Sequence, residues 1–372
     1  MTIVGTRPEL IKMSLVIERL DRLAHHVLVH TGQNHDYELN QVFFDDLGIR
    51  RPDHFLQVAG TGPVETIARV LTAADAVLQR EQPDALLLYG DTNSGLAILA
   101  AKRRKIPVFH MEAGNRCFDQ RVPEELNRKV IDHLSDVNMT LTDHARRYLL
   151  AEGLPSDRTF KVGSHMAEVL ARHRDKIANS DILRRLDLER DRYFLVSAHR
   201  EENVDRPDRV AALLACLRRL ADEYGWPIIV STHPRTRKRL PESVEQRPSP
   251  LVRFLPPFSL TDYIHLQQHA HCVLSDSGTL TEEAALLDLP AVMLRDMHER
   301  PEGMDAGTLV MASLDPDQVI GAVRCARDGV GERRAGRVPD YDVEDVSGKV
   351  VRIVFSYIDY VNRVVWSKAS LS

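Results

Sequence analysis

Short apolar runs alternate with longer segments of helical periodicity along the whole chain of 372 residues. This alternation predicts strands at Thr2–Val4, His26–His30, Asp84–Tyr89, Pro107–His110, Val137–Leu141, Tyr193–Ser197, Pro227–Ser231, Cys272–Ser275 and Ala291–Leu294. The segments between them predict helices, of which the clearest are Pro63–Glu81, Glu124–Leu134, Ala211–Glu223 and Leu280–Asp288. Strands that alternate with helices form βαβ units, so the sequence predicts an α/β fold with parallel sheets covered by helices on both faces.

The alternation pauses once, in a polar stretch that follows residue 163 and precedes a new strand at Tyr193. The length of the chain also favours two domains over one. We therefore predict two Rossmann-like domains at residues 1–165 and 166–355. The segment Ser347–Arg363 predicts a final helix, and we expect the C-terminal part, residues 356–372, to pack back on the first domain.

Composition excludes several classes of protein. The formal net charge of −5 gives no basic footprint for nucleic acid. No apolar run approaches the roughly 18 residues of a membrane-spanning helix, and the start of the chain lacks the pattern of a signal peptide, so we expect a cytoplasmic protein. The four cysteines form no CxxC pair, and the histidines form no HExxH motif, so we expect neither disulfides nor a bound metal.

Polar and charged residues follow eight of the predicted strands at the point where each strand ends. They are Gly5–Glu9, Thr31–Asp36, Gly90–Asn93, Met111–Arg116, His199–Asn203, Thr232–Arg235, Asp276–Thr279 and Arg295–Glu302. Ligands of open parallel sheets bind beyond the carboxyl ends of the strands. Two such edges facing each other predict a central cleft rich in titratable groups between the two domains.

Two of these turns have a form that binds anions. Gly5-Thr6-Arg7 and Asp276-Ser277-Gly278-Thr279 each place a glycine turn between a strand and a helix N-terminus, where backbone N–H groups and the helix dipole attract phosphate. A plain βα turn is the alternative for each. Neither turn is a GxGxxG or GxxxxGK[ST] motif, so the pattern favours a diphosphate held without Mg²⁺ over a dinucleotide or an ATPase site.

Taken in order, these motifs resemble the non-hydrolysing UDP-N-acetylglucosamine 2-epimerases. The resemblance runs from residue 5 to about residue 307. Each short motif alone is weak evidence for the family, but the full set of motifs in this order is highly specific. The matching segments are Gly5–Glu9 with Ile11-Lys12, His30–Gln33, Gly90–Thr92, His110–Gly114, Pro123–Arg128, His199–Asn203, Ser275–Gly278 with Glu282-Glu283, and Arg295 with Glu299–Glu302.

The resemblance implies a GT-B-like fold, a UDP-sugar in the cleft, a homodimer and no redox cofactor. In the chemistry proposed for the family, removal of the C2 proton accompanies anti elimination of UDP, and the 2-acetamidoglucal then takes UDP back with a proton on the other face. Asp91, Glu112, Glu124 and His199 match the catalytic residues. Clustered carboxylates should raise at least one pKa towards neutrality. The residues matched to UDP binding are Arg7, Ser277, Gly278, Thr279 and Glu283.

The loop Asn115–Pro123 and the residue Thr279, which stands where a second glycine is usual, are similar to the branch that makes UDP-N-acetyl-L-fucosamine. The alternative substrate is therefore UDP-2-acetamido-2,6-dideoxy-L-talose. Some members are activated by a second UDP-sugar. Residues in plausible positions for sugar or effector contacts are Gln33, His35, Arg116, His233 and Arg295.

Three other functions share parts of this pattern. A GT-B glycosyltransferase has the same cleft and sugar donor, but the trio Asp91, Glu112 and Glu124 favours epimerisation. A hydrolysing epimerase would release UDP and the free sugar. A UDP-sugar sensor would keep the phosphate turns and lose the carboxylates, which are present here.

Overall fold

The computed structural model describes residues 1–33, 47–232, 234–239, 249–328 and 338–368. They form two compact units, one of Met1–Ala171 with Asp340–Ser372 and the other of Arg172–Pro339. These bounds differ from the prediction, because residues 166–171 and 340–355 lie in the first unit. Asp340 fixes the returning chain there: its carboxylate accepts the Asp143 backbone N–H (2.9 Å) and pairs with Lys161 Nζ (2.8 Å).

The first unit contains a seven-stranded parallel sheet with the order β3-β2-β1-β4-β5-β6-β7. Its strands are β1 (Thr2–Val4), β2 (Leu28–His30), β3 (His54–Phe55), β4 (Leu86–Tyr89), β5 (Val108–Met111), β6 (Val137–Thr140) and β7 (Thr159–Lys161). Its helices up to the unit boundary are α1 (Arg7–Leu23), α2 (Pro63–Glu81), α3 (Ile98–Arg103), α4 (Pro123–Leu134), α5 (Asp143–Ala151) and α6 (Met166–Arg172), with 3₁₀ turns at Asn93–Ala97 and Ser156–Arg158.

The second unit contains a six-stranded parallel sheet with the order β10-β9-β8-β11-β12-β13. Its strands are β8 (Phe194–Ser197), β9 (Ile228–Ser231), β10 (Val252–Leu255), β11 (Cys272–Ser275), β12 (Ala291–Leu294) and β13 (Val310–Ala312). Its helices are α7 (Arg174–Ala178), α8 (Ile182–Leu186), α9 (Glu201–Val204), α10 (Pro207–Tyr224), α11 (Pro234–Arg239), α12 (Leu260–His269), α13 (Thr279–Leu287), α14 (Pro301–Asp305) and α15 (Pro316–Arg327).

The last described helix, α16 (Val346–Val364), returns to the first unit and packs on α1. Arg19 of α1 donates from Nε to Ser347 Oγ (2.9 Å) and from Nη2 to Asp345 Oδ1 (2.5 Å). Val350, Val354 and Val361 are buried. This helix begins ten residues before the predicted third segment at 356 and ends at Val364, so residues 356–364 are the end of a longer helix.

All nine predicted strands are present, and each is interior to its sheet. Both faces of an interior parallel strand are covered, so it reads as a continuous apolar run: every residue of β4, β5, β11 and β12 is buried. The predicted α/β class with two parallel-sheet domains is confirmed. No helix among the described residues is long and apolar enough to cross a membrane.

Candidate active site

The strand order of the first unit brings three polar turns to one edge, because β1, β4 and β5 are neighbours. The turn after β4 carries Asp91, which was predicted to be catalytic. Two residues of α4 hold it: Arg128 Nε donates to Asp91 Oδ2 (2.8 Å), and Asn127 Nδ2 donates to the Asp91 carbonyl (2.9 Å). Glu124, a second predicted catalytic residue, lies in the first turn of the same helix and is half-buried.

The third predicted carboxylate, Glu112, follows β5 and forms an ion pair with Lys12 of α1. Lys12 Nζ lies 2.9 Å from Glu112 Oε2, and both side chains are largely buried. The Glu112 backbone is left-handed (φ 62°). A non-glycine residue in that conformation costs roughly 1–3 kcal/mol, and such strain is concentrated at functional sites. Asp91 and Glu112 therefore each have a nearly buried cation of their own, in Arg128 and Lys12.

The start of α1 differs from its prediction. The Glu9 carboxylate accepts the backbone N–H groups of Gly5 (2.5 Å) and Thr6 (3.2 Å) and the Thr92 hydroxyl (2.7 Å). Burial raises the pKa of Glu9 to about 7 in spite of these hydrogen bonds, and the charge of Asp91 adds to the rise. The predicted anion site at the Gly5 and Thr6 amides is thus wrong, because the chain's own carboxyl group occupies them. Arg7, half-buried at the first position of α1, remains the candidate for phosphate.

Gly5 is required at this turn by close approach of its neighbours. A Cβ on Gly5 would lie 1.9 Å from Ser94 Oγ and 2.4 Å from Thr31 Oγ1, two hydroxyls that are hydrogen-bonded to each other (2.7 Å). Contacts this short do not occur for real Cβ atoms. The glycine therefore lets α1, and with it Glu9 and Lys12, start directly against the ends of β2 and β4.

A buried carboxylate at the start of α4 holds the loop between β5 and α4 in place. Glu125 is fully buried and accepts the backbone N–H groups of Cys117 (3.1 Å) and Phe118 (3.2 Å) and the Arg128 Nη1 proton (2.9 Å). Burial also raises the pKa of the Cys117 thiol. A buried thiol with a raised pKa is a poor nucleophile.

Arg116 was predicted as a sugar or effector contact, and its environment contradicts this. Its side chain is fully buried and donates to Glu152 from Nε (2.8 Å) and Nη2 (2.7 Å), and to Asp132 from Nη1 (2.7 Å). These carboxylates occupy the guanidinium group, so Arg116 acts inside the first unit.

In the second unit, Asp276 organises the turn that carries His199, the fourth predicted catalytic residue. Asp276 is fully buried after β11, and its carboxylate accepts the backbone N–H groups of His199 (2.9 Å) and Arg200 (2.9 Å) and the side-chain amide of Asn203 (3.1 Å). Its Oδ1 atom also lies 3.2 Å from His199 Nδ1. This contact orients the half-exposed imidazole, a group suited to acid–base chemistry.

The turn after Asp276 keeps the anion-binding form that was predicted for it. The hydroxyls of Ser277 and Thr279 lie 3.0 Å apart at the start of α13. No acceptor for the Gly278 or Thr279 backbone N–H is found among the described residues. Glu283 lies one turn further along α13, and its Oε2 atom accepts the side-chain amide of Gln267 (2.6 Å).

Arg295 was predicted as a sugar or effector contact, but it is buried among acidic side chains. Its Nη1 atom donates to Glu299 Oε2 (2.5 Å), and its Nε atom lies 3.2 Å from Glu202 Oε1. Glu299 also pairs with Arg200 (3.1 Å). Arg295 therefore holds the turn that follows β12, and the predicted contact with sugar finds no support.

The three remaining predicted contacts have different positions. Gln33 follows β2, and its side-chain oxygen is buried without a hydrogen-bond partner in the part of the chain that the structure describes. His35 and His233 lie outside the described residues. Within those residues, no group of three or more His, Cys, Asp or Glu side chains could hold a metal ion.

Comparison with known proteins gives the family. The family model described as UDP-N-acetylglucosamine 2-epimerase matches residues 18–355. The chain belongs to this family. It is 34% identical over 331 residues to the UDP-N-acetylglucosamine 2-epimerase of Methanococcus maripaludis, a match that covers 86% of this chain and 89% of the relative. The predicted membership and the isomerase class are thereby confirmed.

Solved structures of the same family have the same fold. The UDP-N-acetylglucosamine 2-epimerase of Rickettsia bellii is 57% identical, with a TM-score of 0.91 over 99% of this chain and 98% of that one. The Methanocaldococcus jannaschii UDP-GlcNAc 2-epimerase, solved in complex with UDP-GlcNAc and UDP, is 30% identical, with a TM-score of 0.89 over 95% and 99%. The predicted fold class of this epimerase is thus supported along almost the whole chain.

Sequence reasoning quoted several residues of the epimerase site without giving them a role. Glu9 and Lys12 are one helical turn apart in α1, and Arg128 ends the Pro123–Arg128 motif. The spacing of Glu9 and Lys12 indicates that both face one side of the helix. Asp276 stands at the end of a buried strand, which is a stronger signal than the glycine turn after it. Gln267 carried no signal, because it lies in a helix of ordinary composition.

Proposed function

We propose that this chain is a UDP-N-acetylhexosamine 2-epimerase that interconverts UDP-GlcNAc and UDP-ManNAc. The observation that carries the proposal is the pairing of two carboxylates at one sheet edge with two nearly buried cations, Glu112 with Lys12 (2.9 Å) and Asp91 with Arg128 (2.8 Å). A neighbouring cation favours the ionised form of a carboxylate. Two ionised carboxylates at one edge suit a reaction that must remove a weakly acidic proton and return one.

The proposed reaction begins at C2 of the sugar. A carboxylate takes the C2 proton, the electron pair of that C–H bond forms the C1=C2 double bond, and the bond from C1 to the UDP oxygen breaks with its electrons leaving on UDP. In the second half, the UDP oxygen forms a bond to C1, and the electron pair of the C1=C2 double bond forms a new C2–H bond with a proton from a protonated acid on the opposite face. We assign these proton transfers to Asp91, Glu112, Glu124 and His199, since general acid–base catalysis requires groups on both faces of C2.

UDP must stay bound while the glucal exists. We assign its diphosphate to Arg7 and to the turn Ser277–Thr279, because a helix N-terminus with adjacent hydroxyls binds phosphate. We assign the ribose hydroxyls to Glu283, whose orientation Gln267 fixes. The complex of the Methanocaldococcus relative with UDP-GlcNAc and UDP supports a UDP-sugar as the ligand class.

The substrate is tested by proton NMR in D₂O with the purified enzyme. UDP-GlcNAc and UDP-2-acetamido-2,6-dideoxy-L-talose are supplied in separate reactions. We expect the 2-epimer to appear with deuterium at C2, faster with UDP-GlcNAc. A faster reaction of the L-talose derivative would assign the chain to the L-fucosamine-forming branch. Binding of UDP without exchange at C2 of either sugar would contradict epimerisation and favour glycosyl transfer.

We further propose a homodimer, with a contact that includes α4. Leu126 and Val130 are one turn apart on α4 and exposed, and Phe118 in the preceding loop is 68% exposed. Ile131 of the same helix faces the core instead. Sedimentation of the wild-type protein and of Leu126→Glu tests this assignment. A dimer that Leu126→Glu converts to a monomer supports it, and a wild-type monomer contradicts it.

A further inference from the structure

A buried histidine in the first unit is left unused by the proposed reaction. His110 lies on β5 and is 1% exposed. Its Nδ1 atom lies 2.8 Å from Asp132 Oδ1, and its Nε2 atom lies 2.7 Å from the Gly90 carbonyl oxygen. A carbonyl oxygen can only accept a hydrogen bond, and so can an ionised carboxylate. Both ring nitrogens must then donate, which defines the imidazolium form.

The charges around His110 agree with that form. Asp132 is fully buried between His110 and Arg116, whose Nη1 atom donates to Asp132 Oδ2 (2.7 Å). Burial alone would raise the pKa of Asp132, but the hydrogen bonds and charges of His110 and Arg116 outweigh it and keep that pKa below its ordinary value. Glu152 binds the far side of Arg116. Glu152 is exposed and also lies 2.9 Å from His133 Nε2, so it lies at the solvent side of the group. The buried Asp132 carboxylate thus has Arg116 and His110 beside it, as a buried charge requires partners.

This group connects three segments, and each segment carries one of the proposed catalytic carboxylates. The Gly90 carbonyl precedes Asp91. The Asp132 carboxylate also accepts the Gly114 N–H (3.2 Å), two residues beyond Glu112. Asp132 itself lies on α4, which carries Glu124 in its first turn.

The Gly114 turn is packed so closely that it has no room for a side chain. Gly114 has φ 85°, and a Cβ on it would lie 2.4 Å from the Ala145 carbonyl oxygen. Gly90 is also left-handed, with φ 68°. His110 bonds the Gly90 carbonyl and Asp132 bonds the Gly114 N–H, so together they hold one backbone group of each turn.

We propose that His110 is a positioning residue, an imidazolium that with Asp132 fixes the three carboxylate-bearing segments relative to one another. The proposal rests on the proposed function for the roles of those carboxylates, while the charge state of His110 does not depend on it. A misplacement of about 1 Å in a catalytic group can cost on the order of 100-fold in rate. Loss of either hydrogen bond should consequently lower kcat and leave UDP affinity unchanged.

His26 provides a matched control in the same unit. Its buried imidazole also has a carboxylate at Nδ1, Asp21 (2.6 Å), and an oxygen at Nε2, Thr2 Oγ1 (2.8 Å). That oxygen belongs to a hydroxyl, which can donate, so a neutral ring satisfies both contacts. Burial lowers the pKa of His26. His26 precedes β2 and therefore lies at the amino end of the sheet, away from the turns that carry the carboxylates.

The charge state is tested by NMR of the wild-type full chain labelled with ¹³C and ¹⁵N, with the ring resonances of His110 and His26 assigned through bonds to their own backbone atoms. At pH 8 we expect a hydrogen on both ring nitrogens of His110 and one bare nitrogen in His26. A bare nitrogen in His110 at pH 8 would overturn the imidazolium. Because this measurement uses the wild-type protein, it decides the matter even where a variant fails to fold, and it is independent of any enzymatic activity.

The positioning role is tested by kinetics and calorimetry. His110→Asn keeps the donor to Asp132 and His110→Gln keeps the donor to Gly90. We expect both to lower kcat at least about tenfold, while Kd for UDP stays within about twofold. The matching His26 variants should leave kcat unchanged. Wild-type kcat in both His110 variants, or equal losses of kcat in the His26 variants, would overturn the proposal. An inactive wild-type enzyme would instead contradict the proposed function.

Discussion

The two glycine turns that look alike in sequence differ in what their helices bind. At the start of α1, the Gly5 and Thr6 amides donate to Glu9, a residue of the same helix. At the start of α13, the third position is Thr281 rather than a carboxylate. Asp276, which precedes the turn, accepts the His199 and Arg200 amides, and the Ser277 and Thr279 hydroxyls stand at the helix terminus. Glu9 thus occupies the amides of the turn at α1, whereas the turn at α13 has a form that binds an external anion.

From this difference we infer separate tasks for the two units. The turn of the first unit contributes Glu9 and Lys12 to a group of carboxylates and cations, which is suited to moving protons. The turn of the second unit is suited to holding the leaving group. A helix N-terminus therefore identifies an anion site only when the side chain at its third position does not already occupy it.

The largest expected effect on kcat concerns the carboxylates of the first unit, to which we assign proton transfer. Asp91→Asn and Glu112→Gln should each lower kcat by about 100- to 10,000-fold, the range for loss of a general acid or base. Because these variants leave the α13 turn intact, Kd for UDP measured by calorimetry should not change. Glu65→Gln, an exposed carboxylate on α2, is the control and should retain kcat. Near-wild-type turnover in Glu112→Gln would remove that residue from the mechanism.

The turn at the start of α1, whose amides donate to Glu9, should make the stability of the protein depend on pH. The pKa of Glu9 is about 7 in the folded chain and 4.5 ordinarily, so the folded state binds the extra proton in this window and its stability falls as pH rises. The loss should reach about 3 kcal/mol by pH 8 and be absent in Glu9→Gln. Chemical denaturation of both proteins at pH 4.5 and pH 8 measures it. An equal pH dependence in both proteins would contradict the assignment.

Arg7 is the residue of the turn at the start of α1 that we still assign to phosphate, so its substitution tests how far the two turns differ. Arg7→Ala should weaken UDP binding by roughly 2–3 kcal/mol, the range for a hydrogen bond to a charged group. Calorimetric titration with UDP measures the loss, with Arg69→Ala on the exposed side of α2 as the control. Unchanged affinity in Arg7→Ala would place the whole diphosphate on the second unit.

The smallest expected effect on UDP binding is for the turn at the start of α13. Ser277→Ala removes one hydroxyl and should weaken UDP binding by about 1.5 kcal/mol, the low end of the range for a hydrogen bond to a charged group. Ser313→Ala, an exposed hydroxyl of the same unit, is the control. The same titration decides, and a Ser277→Ala protein with wild-type affinity would show that the α13 turn is an ordinary βα connection.

The strands show where sequence was sufficient and where it was not. All nine interior strands could be predicted, since burial on both faces leaves a continuous apolar run. The four strands without a prediction, β3, β7, β10 and β13, are the edges of the two sheets. Edge strands are partly exposed, so that Thr159–Lys161 and Val252–Leu255 mix charged and apolar residues and resemble loops.

The residues of the site divide in the same way, into those that the sequence could predict and those that it could not. Asp91, Glu112 and His199 follow predictable strands, and their motifs could be read directly. Their partners could not, because Lys12 meets Glu112 across 100 residues and Arg128 meets Asp91 across 37, and only the order β1-β4-β5 brings them together. Arg116 looked available for a ligand because nothing in its neighbourhood along the chain reveals Glu152.

The central claim is that the bond between C1 and UDP breaks reversibly while the second unit retains UDP. It is tested most directly with UDP-GlcNAc that carries ¹⁸O in the bridging position between C1 and the β-phosphorus. If UDP is eliminated and returned, ³¹P NMR will show ¹⁸O moving into the non-bridging positions of the β-phosphate during epimerisation. Epimerisation with all of the ¹⁸O still bridging would contradict the elimination mechanism.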